Sequence, residues 1–234
     1  MKEEYARARE RNAPLVLRYQ TRAMAAVRAY RGIHPSLAPN AVLELGSADG
    51  RTLLEIRRLF GERESYFGVE LSPELLAHAP DDVEGVRFVL GDATRLPPEI
   101  VSRRYSLVTA LALLEHLDDP LQCLRQARDV LEENGVMVAS CPNPAWDDLA
   151  ARFGLVRDEH HVQRMDADRM VALFERAGFR RVRFEPFMWL PAALLPYARI
   201  HVSPRAAIAV DALVRRLGRW TRPTFINQLV FGVR

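Results

Sequence analysis

The sequence predicts an α/β fold with a mostly parallel sheet, and three observations lead to that prediction. Short apolar segments alternate with helical patterns, the order typical of parallel strands joined by crossover helices. The first apolar segment ends in a glycine turn that leads directly into a helical pattern. The next two segments end in acidic residues. With 234 residues, 49% of them hydrophobic, the chain can bury a full core in one domain.

The predicted elements follow in chain order. Two N-terminal helices, over residues 3–11 and 14–31, are separated by a break at Asn12 and Pro14. Strands are predicted over residues 41–45, 65–70, 86–90, 106–111 and 135–141, with the first crossover helix running from Thr52 to about Phe60. An amphipathic helix over residues 165–178 precedes two alternating segments, 181–185 and 225–233, that predict further strands. A single domain therefore divides into N-terminal helices (1–40), a core (41–185), an insertion (186–224) and a last strand (225–234).

The glycine turn is the strongest functional signal, in residues 42–50, which read VLELGSADG. Gly46 and Gly50 can take positive φ and allow a ligand close to the backbone, while the following helix directs its free N–H groups to the same place. The second strand ends at Glu70, 20 positions after Gly50, where an acid usually accepts hydrogen bonds from ribose hydroxyls. The third strand is followed by Asp92. These two acids, at the ends of neighbouring strands, predict a nucleoside site.

The charge of the turn indicates which nucleoside. A dinucleotide brings a pyrophosphate and requires the G-x-G-x-x-G spacing. This turn has the spacing G-x-x-x-G and carries Asp49, whose carboxylate would repel a phosphate and would suit a ligand with a cationic centre. The turn therefore favours a sulfonium ligand over NAD.

Further motifs follow the turn in order. Residues 91–97 read GDATRLP, residues 105–120 read YSLVTALALLEHLDDP, and residues 131–144 read LEENGVMVASCPNP. With the turn and the strand that ends at Glu70, these resemble the class I S-adenosylmethionine (SAM)-dependent methyltransferases, and among them the small-molecule, ubiquinone-biosynthesis-type group. Ala48 stands where the middle glycine of the family motif is usual. The resemblance implies a Rossmann-like, seven-stranded, mostly parallel sheet with helices on both faces, whose last two strands form a hairpin with one antiparallel strand.

The resemblance also implies SAM as the cofactor and assigns residues to it. By this resemblance, Glu70 is expected to bind the ribose and Asp92 to accept a hydrogen bond from the adenine amine. The full set of expected cofactor-binding residues is Glu44, Gly46, Ser47, Ala48, Asp49, Gly50, Glu70, Leu71, Asp92, Ala93, Leu111 and Ala112.

Methyl transfer needs an acceptor held in line with the methyl group and, for some acceptors, a base that removes a proton. His116 and His161 are the candidate bases, with Glu115 as a partner, and the alternative for each histidine is a structural role near a helix end. The adjacent His160 and His161 could suggest a metal, but no carboxylate pattern completes a site, so none is predicted.

The insertion over residues 186–224 is far longer than a hairpin needs. Its first part is apolar and interrupted by prolines. Its second part, from Ser203 to Gly218, predicts an amphipathic helix with Ser203 as N-cap. The residues predicted to share its apolar face are Ala206, Val210, Leu213, Val214 and Leu217. In the family such an insertion often covers the acceptor pocket; the alternative is a helix that packs at the sheet edge.

Charge is distributed unevenly along the chain. Residues 1–31 carry +5, residues 32–175 carry −11 and residues 176–234 carry +9, with arginine as 32 of the 33 cations. Basic ends bind nucleic acid, anionic lipid or an acidic small substrate, or simply solvate helix faces.

Several nucleic-acid chemistries are disfavoured. Lys2 is the only lysine, so a catalytic-lysine ribose methyltransferase is excluded, and residues 110–113 read ALAL where exocyclic-amine enzymes carry an Asn/Asp-Pro-Pro turn. Cys141 leaves a minor alternative, an RNA cytosine-C5 nucleophile.

The expected function is SAM-dependent methyl transfer to a small or lipid-like acceptor, with oxygen favoured as the acceptor atom. The alternatives are a SAM-binding protein without turnover, or a module acting on RNA or at a membrane. The chain lacks a targeting signal and a long apolar run, and it has only two cysteines, so we expect a cytoplasmic protein without a disulfide framework. The sequence leaves the oligomeric state open.

Overall fold

A seven-stranded sheet forms the centre of the molecule. The computed structural model describes residues 12–61, 65–146 and 162–234. The strands are β1 (Ala41–Leu45), β2 (Ser65–Glu70), β3 (Val86–Leu90), β4 (Tyr105–Leu111), β5 (Leu131–Pro142), β6 (Arg180–Trp189) and β7 (Phe225–Val233). Their order is β3-β2-β1-β4-β5-β7-β6, with parallel pairing from β3 to β5 and with β7 antiparallel to both of its neighbours. The predicted Rossmann-like architecture, including the antiparallel hairpin, is confirmed.

The helices lie between and beyond these strands. They are α1 (Ala13–Ile33), α2 (Arg51–Phe60), α3 (Pro73–Leu76), α4 (Pro98–Val101), α5 (Pro120–Val130), α6 (Ala167–Arg176), α7 (Leu190–Leu194) and α8 (Pro204–Arg216). Among the described residues, 3-10 turns cover Leu114–His116, Leu195–Ala198 and Arg219–Thr224. Within the described part of the chain, no helix is both long and apolar enough to span a bilayer.

Alternating strand residues divide the core between the two faces of the sheet. In β1, Leu43 joins a cluster with α5 and α6, whereas Val42 joins a cluster with α1, α2 and α8. This division follows from the period of two in a strand, which sends successive side chains to opposite faces. Both faces are covered, and β1, β2 and β4 are accordingly buried along almost their whole length.

The observed bounds differ from the predicted ones at several places. The helix predicted over residues 3–11 lies outside the described residues, and the second N-terminal helix extends to Ile33. Strand β5 begins at Leu131 and strand β6 continues to Trp189, so the insertion starts at Leu190 rather than at residue 186. Strand β6 extends to Trp189 because residues 183–187 and Trp189 pair with β7. Alternation in the sequence does not reveal such pairing with a distant strand.

The predicted helix of the insertion exists as α8, and Ser203 caps it by accepting a hydrogen bond from the N–H of Ala206. Its predicted apolar face is wrong for most of its members, since Val214 alone of the five is buried. The residues buried against β6 and α1 are Ala207, Ile208, Asp211 and Val214, whereas Ala206, Leu213 and Leu217 are exposed. The helix has two apolar faces, and a buried aspartate lies on the inner one.

Both ends of the insertion lie at one edge of the sheet. Trp189 pairs with Phe225, and Asn227, two residues further, pairs with Pro142 at the carboxyl end of β5. The insertion therefore leaves and rejoins the sheet at the carboxyl ends of the parallel strands, where open α/β sheets bind ligands.

Candidate active site

The turn after β1 has the backbone geometry that its sequence predicted. Gly46 and Gly50 have φ values of +70° and +77°. Ala48, between them, also has a positive φ, of +49°. L-residues rarely adopt this conformation, which accounts for the glycine that is usual in the family at the position of Ala48.

The N–H groups of this turn are largely used within the protein. Gly46 and Ser47 donate to the carbonyl of Val69 at 2.8 and 3.0 Å, and Gly50 donates to the carbonyl of Ser47 at 2.8 Å. Ala48 donates to the carboxylate of Glu70. The N–H groups at these four positions of the turn therefore already have acceptors within the protein. A pyrophosphate requires such donors, so their engagement independently disfavours a dinucleotide.

Asp49 has a protein partner for its charge. Its side chain is 2% exposed, and its Oδ2 accepts a hydrogen bond from Nε of Arg51 at 3.1 Å. Arg51, the first residue of α2, therefore pairs with the Asp49 carboxylate inside the protein. A cofactor contact at Asp49 stays a prediction.

Glu70 links the glycine turn to the loop after β2. Its Oε2 accepts from the N–H of Ala48 at 2.9 Å, and its Oε1 accepts from the N–H of Ser72 at 2.8 Å. Each carboxylate oxygen has a further lone pair, so the fixed carboxylate can still accept hydrogen bonds from a ribose. Ser72 also caps α3 by accepting from the N–H of Leu75. Beside it Leu71 is 68% exposed, an apolar side chain at the rim of the predicted cofactor site.

Asp92 is held in one orientation by Thr94. The N–H and the hydroxyl of Thr94 both donate to Oδ1 of Asp92, at 2.7 and 2.8 Å. Among the described residues no hydrogen bond engages Oδ2, so this oxygen is suited to an amino group of a ligand. Ala93, next to it, is buried.

The other predicted cofactor residues lie at the same edge of the sheet. Glu44 is buried near the end of β1, and Leu111 is buried at the end of β4. Ala112 has a φ of +60° and donates its N–H to the carbonyl of Ser140 at 2.8 Å. The strand order reverses between β1 and β4, and the region at the carboxyl ends of these strands, called the crevice below, is the usual ligand position in such sheets.

Two apolar side chains that the sequence argument missed support the turn. A Cβ on Gly46 would come within 2.8 Å of Cδ1 of Leu113, and one on Gly50 would come within 2.3 Å of Cζ of Phe88. Phe88 also lies beneath Gly68, where a Cβ would come within 2.6 Å of its ring. Glycine is thus favoured by φ at Gly46 and Gly50, and a Cβ at any of the three glycines would have to displace Leu113 or Phe88. Gly68, in the middle of a strand, was the available signal for such a close approach.

We expect Gly50→Ala to lower both stability and SAM affinity. The new methyl group would overlap the Phe88 ring at a left-handed φ, and overpacking of this kind costs about 1–3 kcal/mol. Gly32→Ala is the matched control, since a Cβ there has no atom within 4 Å and a helical alanine stabilises by about 0.5–1 kcal/mol. Thermal unfolding and calorimetry measure both effects. If Gly50→Ala kept the stability and SAM affinity of Gly32→Ala, the Phe88 ring could move aside without cost and the prediction would be wrong.

The candidate bases are placed differently from one another. Glu115 is 2% exposed in the 3-10 turn after β4, and neither carboxylate oxygen has a hydrogen-bond partner among the described residues. His116 is exposed. The role of Glu115 as a partner of His116 stays a prediction. His161 lies outside the described residues, and its role stays a prediction.

Cys141 is fully buried beside Glu115. Burial, with the nearby Glu115 carboxylate, raises the pKa of the Cys141 thiol well above its ordinary value. A thiol in this state is a poor nucleophile, because the thiolate is the reactive form. This geometry argues against the RNA cytosine-C5 alternative.

Comparison with known proteins agrees with this geometry. A family model described as "Methyltransferase domain" matches residues 8–183. The chain therefore belongs to this family and carries a SAM-dependent methyltransferase domain, as the motifs predicted.

A curated relative is the malonyl-[acyl-carrier protein] O-methyltransferase of Halalkalibacterium halodurans, with 29% identity over 110 residues, 45% of this chain and 40% of the relative. The chain spans well under half the length of the curated relatives it matches.

Solved structures share the fold. A SAM-dependent methyltransferase from Archaeoglobus fulgidus superposes with a TM-score of 0.61 and 18% identity, covering 91% of this chain and 94% of that chain. Phosphoethanolamine N-methyltransferase 2 of Haemonchus contortus, in complex with SAM, has a TM-score of 0.61 and 15% identity, covering 91% of this chain and 52% of that chain.

Proposed function

We propose that this protein transfers the methyl group of SAM to an oxygen atom of a small or lipid-like acceptor. The observation that carries the proposal is the crevice between β1 and β4. There a turn with few free N–H groups lies beside two fixed carboxylates, Glu70 and Asp92. Such a crevice suits a nucleoside without phosphates.

Different residues of the crevice would bind different parts of the cofactor. Glu70 would accept from the ribose hydroxyls, and Oδ2 of Asp92 would accept from the adenine amine. The exposed Leu71 would pack against the base. When bound, SAM supplies a methyl group already activated by the sulfonium sulfur.

The acceptor would be covered by the insertion, Leu190–Thr224, which emerges at the carboxyl edge of the sheet. Since α8 also packs on α1 and β6, the insertion would cover the acceptor as a fixed wall rather than as a detachable lid. The segment is basic, which suits an acceptor with an acidic group. The curated relative is an O-methyltransferase by name, which supports oxygen as the acceptor atom.

The identity of the acceptor oxygen decides whether a base is needed. A carboxylate is already ionised at neutral pH, so the protein would only position it. A hydroxyl must lose its proton as the O–CH3 bond forms and the S–CH3 bond breaks. Glu115, buried and without a hydrogen-bond partner among the described residues, could receive that proton, as could His116 or His161.

Turnover of methyl-labelled SAM with a panel of carboxylic acids, acyl thioesters, phenols and amines tests the proposal. We expect label on oxygen. For a hydroxyl acceptor, the variant that removes the base, Glu115→Gln, His116→Ala or His161→Ala, should lower kcat while the Kd for SAM stays within about twofold. For a carboxylate acceptor, kcat should survive all three changes.

Two outcomes would overturn the proposal. SAM binding without transfer to any class would identify a binding protein without turnover. Label on RNA alone would identify a nucleic-acid enzyme.

A further inference from the structure

The outer face of α8 has no cover in the part of the chain that the structure describes. We infer that this face, with the 3-10 turn after it, docks on the surface of an anionic phospholipid bilayer. The residues of this docking surface are Arg205, Ala206, Ala209, Leu213, Arg216, Leu217, Arg219 and Trp220, and all of them are exposed.

The surface forms one stripe because of helical spacing. Ala209, Leu213 and Leu217 follow one another at intervals of four, opposite the buried Ile208 and Asp211. Leu213 is 62% exposed and Leu217 60%. Trp220 is 72% exposed and remains beside Leu217, because its indole N–H donates to the Leu217 carbonyl at 2.9 Å. Large apolar groups in an exposed row usually mark an interaction site.

The charge around this stripe has a single sign. Residues 190–224 contain six arginines and one acid, Asp211. That acid is fully buried and accepts hydrogen bonds from the N–H groups of Met188 and Trp189 at 2.7 and 2.9 Å. Arg215 pairs with Glu185 of β6, whereas no exposed acid within residues 190–224 offsets Arg205, Arg216 and Arg219. A negatively charged partner complements this surface.

Leucine, tryptophan and arginine on one exposed helix face are the composition of an interfacial helix. The apolar groups enter the headgroup boundary, the indole ring prefers the interface, and the arginines reach lipid phosphates. A second copy of the chain fits less well, because a twofold contact through this face would bring two sets of exposed arginines together.

Docking at this place would also bring the predicted crevice to the membrane. The insertion joins the sheet at Trp189 and Phe225, at the edge where Gly46, Glu70 and Asp92 lie. A lipid-like acceptor could then reach the crevice from the bilayer. The docking itself does not depend on methyl transfer, so a binding assay tests it separately from the proposed function.

Flotation of the full chain with vesicles of phosphatidylcholine and phosphatidylglycerol in a 3:1 ratio tests the inference. We expect binding at low salt, weaker binding in 0.5 M salt as screening predicts, and little binding to pure phosphatidylcholine. Leu213→Ser/Leu217→Ser and Arg216→Gln/Arg219→Gln should each weaken binding on the order of tenfold or more.

Matched controls distinguish binding through this surface from binding that depends only on the total charge or exposed apolar area of the protein. Leu37→Ser/Val101→Ser removes two exposed apolar side chains elsewhere, and Arg87→Gln/Arg125→Gln removes two exposed charges elsewhere. Both controls should bind as the unaltered protein does. Thermal unfolding of each variant confirms that the fold is retained.

The fluorescence of Trp220 reports the geometry directly. In a protein that carries Trp146→Phe and Trp189→Phe, the emission maximum of Trp220 should shift to shorter wavelength on anionic vesicles. Brominated lipid should quench this emission. Absence of vesicle binding, equal loss in test and control variants, or an unquenched Trp220 would overturn the inference. So would a dimer that forms through Leu213 and Leu217 without vesicle binding.

Discussion

Glu70→Ala is expected to weaken SAM binding by about 1–3 kcal/mol, which corresponds to roughly five- to 150-fold in Kd. The substitution removes the proposed acceptor for a ribose and also the two hydrogen bonds by which Glu70 holds the N–H groups of Ala48 and Ser72. Ala48 has a positive φ, so loss of its partner releases the turn at its most constrained point. Calorimetry with SAM and with its demethylated product measures the change.

The control for Glu70 is Glu84→Ala, which removes an exposed acid with no part in the crevice. It should leave the Kd for SAM unchanged. Unfolding curves must accompany both variants, since Glu70→Ala is expected to destabilise the turn as well. A Glu70→Ala protein that binds SAM as tightly as the unaltered protein would contradict the ribose assignment. Tight binding of NAD with no binding of SAM would reject the cofactor itself.

The part of the fold that the sequence predicted well depends on short-range patterns. β1, β2 and β3 have the predicted bounds because each is a brief apolar run with a punctuating residue after it. The acids Glu70 and Asp92 follow two of these strands, so parallel pairing alone brings them to one edge. A local rule and the topology together therefore predicted the candidate cofactor crevice.

What the sequence could not predict depends on partners distant in the chain. The engagement of the turn N–H groups involves Val69 and Glu70, and the close packing of Gly50 involves Phe88. The pairing of Asp49 with Arg51 could not be predicted for a different reason: the two are neighbours in sequence, but the contact depends on side-chain orientation, which spacing does not determine. In these cases the residue type could be read from the sequence, whereas the direction in which its N–H group or side chain points could not.

The error on α8 has a similar cause. The outer row of Leu213 and Leu217 is more apolar than the inner row, which includes Asp211, so a hydrophobicity pattern selects the wrong face. The inner aspartate is tolerated because backbone N–H groups of β6 satisfy it. A helix whose outer face is the more apolar one also requires an explanation outside the core, which the docking surface supplies.

Asp211→Ala is therefore expected to be the most destabilising single substitution in the insertion, at about 3 kcal/mol. The carboxylate accepts the N–H groups of Met188 and Trp189, and hydrogen bonds to a charged group contribute about 1.5–3 kcal/mol each. Met188 has a φ of +59°, so these bonds also hold a strained residue at the end of β6. Burial raises the pKa of Asp211, although the two N–H groups and the cations Arg215 and Arg28 act in the opposite direction.

Two further variants separate the bonds of Asp211 from its charge and from helix capping. Asp211→Asn keeps one acceptor oxygen and the side-chain volume, so its loss of stability should be intermediate. Asp166→Ala removes an exposed aspartate that accepts one backbone N–H, from Arg169, and should cost only about 1 kcal/mol. Urea unfolding of the three variants gives the comparison. If Asp211→Ala loses no more stability than Asp166→Ala, then packing of Ile208 and Val214 alone fixes α8, and Asp211 does not determine which face of the helix points outward.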